Sequence, residues 1–307
     1  MRVRGAAVAA GIILILAAVI ALGPGLLRRD TIHYRWAGTL GSDLLQDPIG
    51  IALNRHRIFV SDAARDRIVV FDTSGALMDV WGDSTGLELR RPMHLSLDRN
   101  GFLYVAEYLS DRVTVIDING VTVRVIGGAT GSEVGELDAP GGAVLLDGMV
   151  FVADFYNHRV DRFWGGGAGV LGRKGRLWRG RFHYPTDVAA DDSLLYVADA
   201  DNHRIQVYRP NGEFVRKWGG PLGLGGRGGL RGWFRVAIGI DVANGNVFVA
   251  DFHNDRVQVF TDRGRYLGQM PDSLELPTDV AVTPSGVVYV VDFGHARVVR
   301  FEPVRER

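Results

Sequence analysis

A pattern that recurs six times predicts an all-β fold, a six-bladed β-propeller. Each copy is a short apolar run that ends in a carboxylate and is followed five residues later by an arginine. The arginines are 45, 47, 45, 52 and 41 residues apart, and a period of about 40–50 residues with short strands is typical of a propeller blade. The six pairs are Asp62/Arg67, Glu107/Arg112, Asp154/Arg159, Asp199/Arg204, Asp251/Arg256 and Asp292/Arg297.

The first five copies contain four segments in the same order, and the sixth contains the first three. The first opens with proline in five copies, whereas Ala237 takes that place in the fifth copy. The second and third are rich in Val, Ile, Phe and Tyr, which indicates short β-strands, and the fourth often ends in an aromatic or aliphatic residue before glycine, as in Trp81-Gly82. Second segments that are apolar on both faces indicate sheets packed between neighbouring sheets. The opening prolines are Pro48, Pro92, Pro140, Pro185 and Pro277.

The two ends of the repeat region predict how the ring closes. The sixth copy stops after its third segment, while residues 33–38 resemble a spare fourth segment. We therefore expect the N-terminal strand to pair with the third strand of the last blade, near residues 297–301. Such closure removes the sheet edges that would otherwise promote aggregation. The predicted propeller domain is 31–307, preceded by a separate segment, 1–30.

With this repeat unit the chain resembles the NHL-repeat family of six-bladed propellers. The matching motifs are Val-Ala-Asp followed by Asn-His-Arg in 152–159 and 197–204, and Asp251 with Asn254-Asp255-Arg256. The resemblance extends over about residues 33–301. It implies the fold but no single activity, because the family includes protein-binding, RNA-binding, sensor and lyase members. We interpret the six Asp/Glu–Arg pairs as framework, since a catalytic residue is rarely needed six times.

The N-terminal segment predicts a membrane anchor. Residues 5–27 are uncharged, and as a helix they would extend roughly 34 Å, enough to cross a bilayer core. Arg2 and Arg4 favour an N-terminus inside, so we expect a single-pass protein of the cytoplasmic membrane with its propeller outside the cytoplasm. The alternative is a secreted protein, because Ala21 and Gly23 satisfy a signal-cleavage pattern, although Pro24 disfavours cleavage.

Composition narrows the functional classes. The chain has 35 basic and 35 acidic residues, so net charge gives no attraction to nucleic acid, and nucleic acid is disfavoured as a partner outside the cytoplasm. The chain has no cysteine, which excludes disulfides, cysteine nucleophiles and cysteine–zinc sites.

Three residues at one matched position predict a metal site at the central channel. Two residues after the opening position, odd copies carry glycine, whereas even copies carry His94, Asp187 and Asp279. A ring places these three around the axis, and one histidine with two carboxylates suits Zn²⁺, Mn²⁺ or Ca²⁺. The peptidyl-hydroxyglycine lyases are similar in fold and bind a channel metal through histidines of alternate blades; only His94 matches that set. No cofactor beyond a divalent metal is indicated, and Glu107 or Tyr108 near His94 is a candidate acid or base.

Two stretches between copies predict a ligand-binding surface. Acids are missing between Asp161 and Asp187 and between Glu213 and Asp241, where basic and aromatic residues alternate. We expect the surface to bind a protein, a glycan or another anionic ligand at the channel mouth, aided by aromatic residues in equivalent turns. The candidate residues are Arg176, Arg179, Arg181, Arg227, Arg231, Trp178, Trp233, Tyr108, Phe155 and Phe252.

Two functions follow from these features. The first is a non-enzymatic, membrane-tethered recognition or scaffold propeller outside the cytoplasm. The second is a metal-dependent lyase or hydrolase whose site is the central channel. The sequence contains no His-Glu-x-x-His, Gly-x-Ser-x-Gly or phosphate-loop motif that would decide the question, so activity as an enzyme stays open here.

Overall fold

The structure, a computed structural model, describes residues 31–82, 85–271 and 273–304. These residues form six four-stranded antiparallel sheets and one two-stranded pair. The first strands of neighbouring sheets contact one another in a closed cycle, so the sheets are the blades of a six-bladed propeller. The all-β prediction is confirmed. The predicted segment 1–30, with its anchor at 5–27, lies outside the described residues; within them no helix is long and apolar enough to cross a membrane.

The first three blades contain consecutive strands. Blade 1 comprises β2 (Pro48–Leu53), β3 (Arg57–Asp62), β4 (Arg67–Asp72) and β5 (Leu77–Trp81). Blade 2 comprises β6 (Pro92–Leu97), β7 (Leu103–Glu107), β8 (Arg112–Ile116) and β9 (Thr122–Gly127). Blade 3 comprises β10 (Pro140–Leu146), β11 (Met149–Asp154), β12 (Arg159–Trp164) and β13 (Gly167–Leu171).

The remaining blades follow the linker pair β14 (Arg173–Lys174) and β15 (Arg181–Phe182). Blade 4 comprises β16 (Pro185–Ala190), β17 (Leu195–Asp199), β18 (Arg204–Tyr208) and β19 (Phe214–Trp218). Blade 5 comprises β20 (Ala237–Ala243), β21 (Asn246–Asp251), β22 (Arg256–Thr261) and β23 (Tyr266–Gln269). Blade 6 comprises β24 (Pro277–Val282), β25 (Val288–Asp292), β26 (Arg297–Pro303) and the N-terminal strand β1 (Tyr34–Leu40).

Strand β1 closes the ring as predicted. It pairs antiparallel with β26, with Tyr34 opposite Pro303, Trp36 opposite Phe301 and Leu40 opposite Val298. The buried Leu40 joins the apolar core between blades 6 and 1. The core is divided in the same way around the ring, with one apolar cluster between each pair of adjacent blades.

The Asp/Glu–Arg pairs are framework, as predicted, but they are more buried than an exposed ion pair. All six carboxylates are fully buried and lie 2.7–3.0 Å from their arginines. Each carboxylate also accepts an N–H from the linker that precedes its blade, as Asp199 does from His183 at 2.8 Å. Each arginine donates to carbonyls of the same linker, as Arg204 does to Leu177 and Trp178. The pair therefore fixes each linker to its blade.

A second contact joins each blade to the next. The contact involves the residue directly before the arginine that opens the third strand, and this residue has a left-handed backbone conformation in all six blades. In five blades its side chain accepts a hydrogen bond from the backbone N–H of the residue directly before the next blade. The sixth equivalent, Ala296, has no side-chain acceptor, so the contact between blades 6 and 1 lacks this bond. The five bonds are Arg91 to Asp66, Ala139 to Asp111, Tyr184 to His158, Val236 to His203 and Leu276 to Asp255, at 2.5–3.1 Å.

The two faces of the ring differ. One face, here the linker face, carries the linkers, the starts of the first strands and the turns between second and third strands. The opposite face carries the turns between first and second strands and, in blades 1 to 5, the turns between third and fourth strands. Linker 3 (172–184) and linker 4 (219–236) lie on the linker face, on the two sides of blade 4.

Candidate functional site

The first strands of alternate blades bring three ionisable side chains together at the channel. His94 in β6, Asp187 in β16 and Asp279 in β24 occupy the third position of their strands. All three are buried. Their ligand atoms lie within 4.8 Å of one another. The convergence expected from their matched positions is therefore present in the structure, although it does not by itself show an ion.

Backbone amides orient the two carboxylates. Asp187 accepts N–H groups from Val188 at 2.8 Å and from Ile240 of blade 5 at 3.0 Å. Asp279 likewise accepts from Val280 at 2.8 Å and from Ile51 of blade 1 at 2.8 Å. Each carboxylate thus links its blade to the next one. This is the structural role that aspartate at a strand start commonly has, and it leaves further oxygen lone pairs for another ligand.

Within the part of the chain that the structure describes, His94 has no such backbone partner. Its Nδ1 lies 3.3 Å from Oδ2 of Asp279 and 3.7 Å from Oδ2 of Asp187, yet neither contact is aligned as a hydrogen bond and the atom is buried. Burial alone would lower the pKa of His94, but the charges of Asp187 and Asp279 outweigh it and raise that pKa to about 9. Burial raises the pKa of Asp187 to about 7, against the opposing charge of His94.

The donor set fits a divalent cation. Two ligands that are each about 2.1 Å from one ion lie about 3.0–3.4 Å apart, close to the separations of His94 Nδ1 from the two carboxylates. An ion would give the buried His94 Nδ1 a partner and would neutralise both carboxylates. Without one, a protonated His94 offsets the charge of only one of the two carboxylates.

Glycines in the odd blades make room for the triad. A methyl group on Gly142 would stand 2.1 Å from Asp187 Oδ1 and 3.2 Å from His94 Cβ. One on Gly50 would stand 2.6 Å from His94 Cα, and one on Gly239 2.7 Å from Asp279 Cα. The alternation of glycine with His, Asp and Asp is therefore a steric requirement of a narrow channel.

Asp241 is a channel residue that the sequence analysis missed. It lies two residues after Gly239 in β20 and accepts N–H groups from Val242 at 2.7 Å and Val282 at 2.8 Å. Burial raises its pKa to about 6. A cavity of about 170 Å³ is lined by Asp187, Asp241 and Asp279 together with apolar residues of the first strands. A comparison of the fifth strand positions would have revealed it, because the other copies there carry only Ala, Val or Ser.

Linkers 3 and 4 form a basic surface, here called the basic sector. Seven cations of these linkers are exposed. Within the described residues none of the seven lies within 4.0 Å of a carboxylate oxygen. Four of the predicted ligand residues, Arg176, Arg179, Arg227 and Arg231, belong to this set. The seven are Arg173, Lys174, Arg176, Arg179, Arg227, Arg231 and Arg235.

Other predicted ligand residues divide into two groups. Trp178 is 74% exposed beside the cations. Trp233 instead packs its ring over Gly228, and its carbonyl accepts from Arg256 and Gln258. Arg181 is half-buried, and its carbonyl accepts from Arg204 and Gln206. Trp233 and Arg181 therefore have clear structural roles.

The turn aromatics form two separate groups on the linker face. Tyr108 reaches Phe155 through Tyr156, since the hydroxyls of Tyr108 and Tyr156 are 2.7 Å apart and the rings of Phe155 and Tyr156 are 5.0 Å apart. Burial raises the pKa of Tyr108 to about 12. Phe252 packs instead against Phe293, with ring centroids 6.5 Å apart.

Glu107 is occupied by its framework role. Its oxygens accept from Arg112 at 2.7 Å, from the Arg90 N–H at 2.8 Å and from the Thr114 hydroxyl. This arrangement supports the reading of Glu107 as a longer replacement for aspartate rather than as an acid or base for His94.

A larger cleft lies on the opposite face. It has a volume of about 730 Å³ and is lined by turns of blades 2, 3 and 4. Arg99 and Asp192 form an ion pair in its lining, while Asp98 and Asp191 accept N–H groups of their own turns. The sequence analysis expected binding only on the linker face and did not predict this cleft.

Comparison with known proteins agrees with the repeat unit. The NHL repeat family matches residues 182–208 and 274–301, which lie in blades 4 and 6. Peptidyl-glycine alpha-amidating monooxygenase A of Xenopus laevis is 32% identical over 163 residues. That match covers 48% of this chain and 17% of the relative, so the chain spans only a small part of the relative's length.

Solved structures agree with the fold. A streptogramin B lyase superposes with a TM-score of 0.60 at 11% identity, covering 91% of this chain and 100% of that one. A gluconolactonase from Xanthomonas campestris superposes with a TM-score of 0.65 at 14% identity, covering 85% of this chain and 87% of that one. At these identities the likeness shows the fold alone. The matched repeats and the ring of six blades together support an assignment to the NHL-repeat family of six-bladed β-propellers.

Proposed function

We propose that this propeller is a recognition module that binds an anionic partner, a protein, a glycan or another anionic ligand, through the basic sector. The observation that carries the proposal is the set of seven exposed cations without a carboxylate partner in the described chain, on a protein with zero net charge. Unpaired arginines form strong, often bidentate hydrogen bonds with carboxylate, sulfate or phosphate groups.

Blade 4 presents the two linkers together. Asn202 donates to the Gly175 carbonyl of linker 3 at 3.0 Å, while Gly225 of linker 4 lies directly against the Asn202 carbonyl. Burial lowers the pKa of His203, and Arg227 and Arg176 lower it further, so cations of both linkers act on one point. A single anionic ligand can therefore contact both linkers.

The proposed location rests on the sequence of the N-terminal segment. Residues 5–27 serve as a membrane anchor and place the propeller outside the cytoplasm; the alternative is secretion after signal cleavage. Fractionation of the native protein and sequencing of its N-terminus test this point. An N-terminus at or beyond Pro24 would replace the anchor with a cleaved signal.

Charge reversal tests recognition. The Arg176→Glu/Arg179→Glu/Arg227→Glu/Arg231→Glu variant should lose most capture of native partners, and wild-type capture should weaken as salt rises. Arg263→Glu/Arg265→Glu is the matched control, because both residues are exposed in a turn on the opposite face. Equal capture by the wild type and the quadruple variant, with equal melting temperatures, would refute the proposal.

A second candidate function is that of a metal-dependent lyase or hydrolase whose site is the central channel. It is favoured by the convergence of His94, Asp187 and Asp279 around a buried nitrogen without a hydrogen-bond partner. These residues would hold a divalent cation, and such an ion supplies Lewis-acid activation or an acidified water. The fold relatives include enzymes, a streptogramin B lyase and a gluconolactonase, so the fold itself is compatible with an enzymatic role.

Metal analysis separates this candidate from recognition. The 31–307 propeller is chelated, reloaded with Zn²⁺, Mn²⁺ or Ca²⁺, and compared by melting temperature, because a bound ion stabilises the folded state. The shift should vanish in His94→Ala/Asp187→Ala and persist in Asp241→Asn, which alters a channel carboxylate outside the triad. The absence of any shift in the wild type, or an equal shift in the double variant, would end the metal proposal without affecting recognition.

A further inference from the structure

The basic sector also exposes large apolar side chains. Leu222 is 94% exposed and Trp178 is 74% exposed, and Leu177 and Leu230 are also exposed. Single exposed apolar residues are ordinary. Here all four lie in the same two linkers as the seven cations, and Leu177 and Trp178 fall between Arg176 and Arg179. The surface therefore combines unpaired positive charge with apolar projections.

Buried arginines hold the backbone beneath three of these side chains. Arg204 donates to the carbonyls of Leu177 at 2.9 Å and Trp178 at 3.1 Å. Arg256 donates to the carbonyl of Leu230 at 3.0 Å. Their main chain is thus fixed to blades 4 and 5, while their side chains extend into solvent. A fixed backbone keeps the cost of ordering these side chains at a surface low.

The framework does not require apolar residues at these positions. In three other linkers the equivalent carbonyls belong to Glu88, which accepts from Arg112, to Ser132 and Glu133, which accept from Arg159, and to Ser273, which accepts from Arg297. In the linker before blade 1 the acceptor is Leu44, whose side chain is half-buried against the apolar core. Polar or acidic side chains thus serve the same contact. Leucine and tryptophan in linkers 3 and 4 call for another explanation.

We propose that linkers 3 and 4 dock the propeller onto the surface of a bilayer that contains anionic phospholipid. The inference rests on the proposed function, because it identifies the anionic partner as a lipid surface. Cations attract the phosphate groups, and the leucine and tryptophan side chains enter the boundary between headgroups and acyl chains. A soluble anion would use the cations but not the apolar tips, which is why a bilayer explains the surface better.

Vesicle binding by the 31–307 propeller tests this inference. That fragment contains every described strand and all six cores, so it can fold on its own, and it lacks the apolar stretch 5–27. It should co-sediment with vesicles of phosphatidylcholine and phosphatidylglycerol but not with phosphatidylcholine alone. Arg176→Glu/Arg227→Glu should weaken this binding by roughly 30-fold or more, since each basic residue near an anionic surface contributes about fivefold.

The apolar contribution has its own variant. Leu177 and Leu222 have positive φ angles of 57° and 54°, a conformation that asparagine tolerates well. Leu177→Asn/Leu222→Asn should therefore keep the melting temperature and still bind phosphatidylglycerol vesicles about tenfold or more weakly than wild type. Leu109→Ser is the matched control, since Leu109 is equally exposed on the linker face but lies outside the basic sector; its binding should not change.

Three results would overturn the inference, and they separate it from the proposed function. Equal vesicle binding by wild type and the asparagine variant would show electrostatic attraction alone, and anion recognition would stand. Binding of glycerophosphate without binding of vesicles would also leave recognition standing but remove the bilayer. If the Arg176→Glu/Arg227→Glu variant bound vesicles and soluble anions as well as wild type does, both the bilayer proposal and the anion-recognition proposal would be refuted.

Discussion

Gly142 and Asp187 belong to adjacent blades, yet a methyl group on Gly142 would stand only 2.1 Å from Asp187 Oδ1. The two residues occupy the same position of their strands, so the glycine of one blade provides the space that the carboxylate of the next one needs. The channel triad therefore depends on residues that bear no functional group.

Gly142→Ala should destabilise the propeller by about 1–3 kcal/mol, because the added methyl group overpacks a site that cannot expand. It should also displace Asp187 and weaken any metal-dependent rise in melting temperature. Urea unfolding with and without metal measures both effects. Gly165→Ala is the control, since no atom lies within 4 Å of the added methyl group. Equal stability of the two variants would contradict the steric argument.

Deletion of 31–38 from the 31–307 propeller should lower the melting temperature by roughly 10 °C, a loss of several kcal/mol for a domain of this size. The reason is that β26 loses its edge partner β1 and Ile32 no longer donates to the Leu267 carbonyl at 3.2 Å. Calorimetry of the two fragments measures the shift. A truncated protein that melts like its parent would count against closure by the N-terminal strand.

Asp161→Gln should stabilise the protein at neutral and alkaline pH. Burial, and then hydrogen bonding to Asp154, raises the pKa of Asp161 to about 8. The folded state therefore retains a proton that the unfolded state loses near pH 4, so stability falls as pH rises from about 4 to 8. Blades 4 and 5 carry glutamine here, and Gln206 donates to Asp199 at 2.9 Å and to the Arg181 carbonyl at 2.8 Å.

The expected gain for Asp161→Gln is roughly 1–3 kcal/mol at pH 9 and much less at pH 4. Denaturant unfolding at both pH values measures it. Glu133→Gln, which removes an exposed carboxylate from the preceding linker, should leave the pH dependence unchanged. If the Asp161→Gln variant were no more stable than wild type at pH 9, the ionised Asp161 carboxylate would not destabilise the folded state.

His158→Ala should cost about 1–2 kcal/mol at pH 8, because the Tyr184 N–H loses its acceptor, His158 Nδ1, at 3.0 Å. His158→Asp should cost less, since Asp66 and Asp111 make the equivalent contact in other blades. Thermal unfolding ranks the three proteins. Equal loss in both variants would show that packing, rather than the bond between blades, is what His158 contributes.

The same histidine predicts sensitivity to acid. Burial, with smaller effects of Lys174 and His183, lowers the pKa of His158 to about 4. As pH falls, His158 becomes protonated near pH 6.5 in the unfolded state but only near pH 4 in the folded state. The free energy of unfolding should therefore decrease as the pH is lowered from about 6.5 to 4. Unfolding between pH 7 and pH 4 tests the slope, which should be shallower in His158→Asp. An equally steep decline in that variant would assign the acid sensitivity to other groups.

The fold could be predicted because its determinants are local and repeated. A carboxylate and an arginine at fixed spacing, short apolar strands and an unpaired last blade define six sheets and their closure without knowledge of any long-range contact. The convergence of His94, Asp187 and Asp279 followed from the same symmetry, since equivalent positions in alternate blades must face one axis.

Features that depend on contacts between different blades could not be predicted from the sequence. The fifth strand positions mark Asp241 as unusual, because the other blades have Ala, Val or Ser there, but only the structure shows that it lines the same cavity as Asp187 and Asp279. Trp178 and Trp233 looked alike in the sequence, but only Trp178 projects into solvent, because Trp233 packs on Gly228. Linkers of unequal length follow their own paths, and their side chains are placed by neighbours that the repeat does not specify.

The pairing of β1 with β26 has a consequence for biosynthesis. Blade 6 contains both the first and the last described strand of the propeller, so the ring cannot be completed before β26 has left the ribosome. Bringing the two ends together from an extended chain would carry a large loop-closure entropy, which blade-by-blade folding of the intervening segments reduces. A nascent chain that stalls before β26 would hold five formed blades and an unpaired β1, and would present an open sheet edge to chaperones or to other copies.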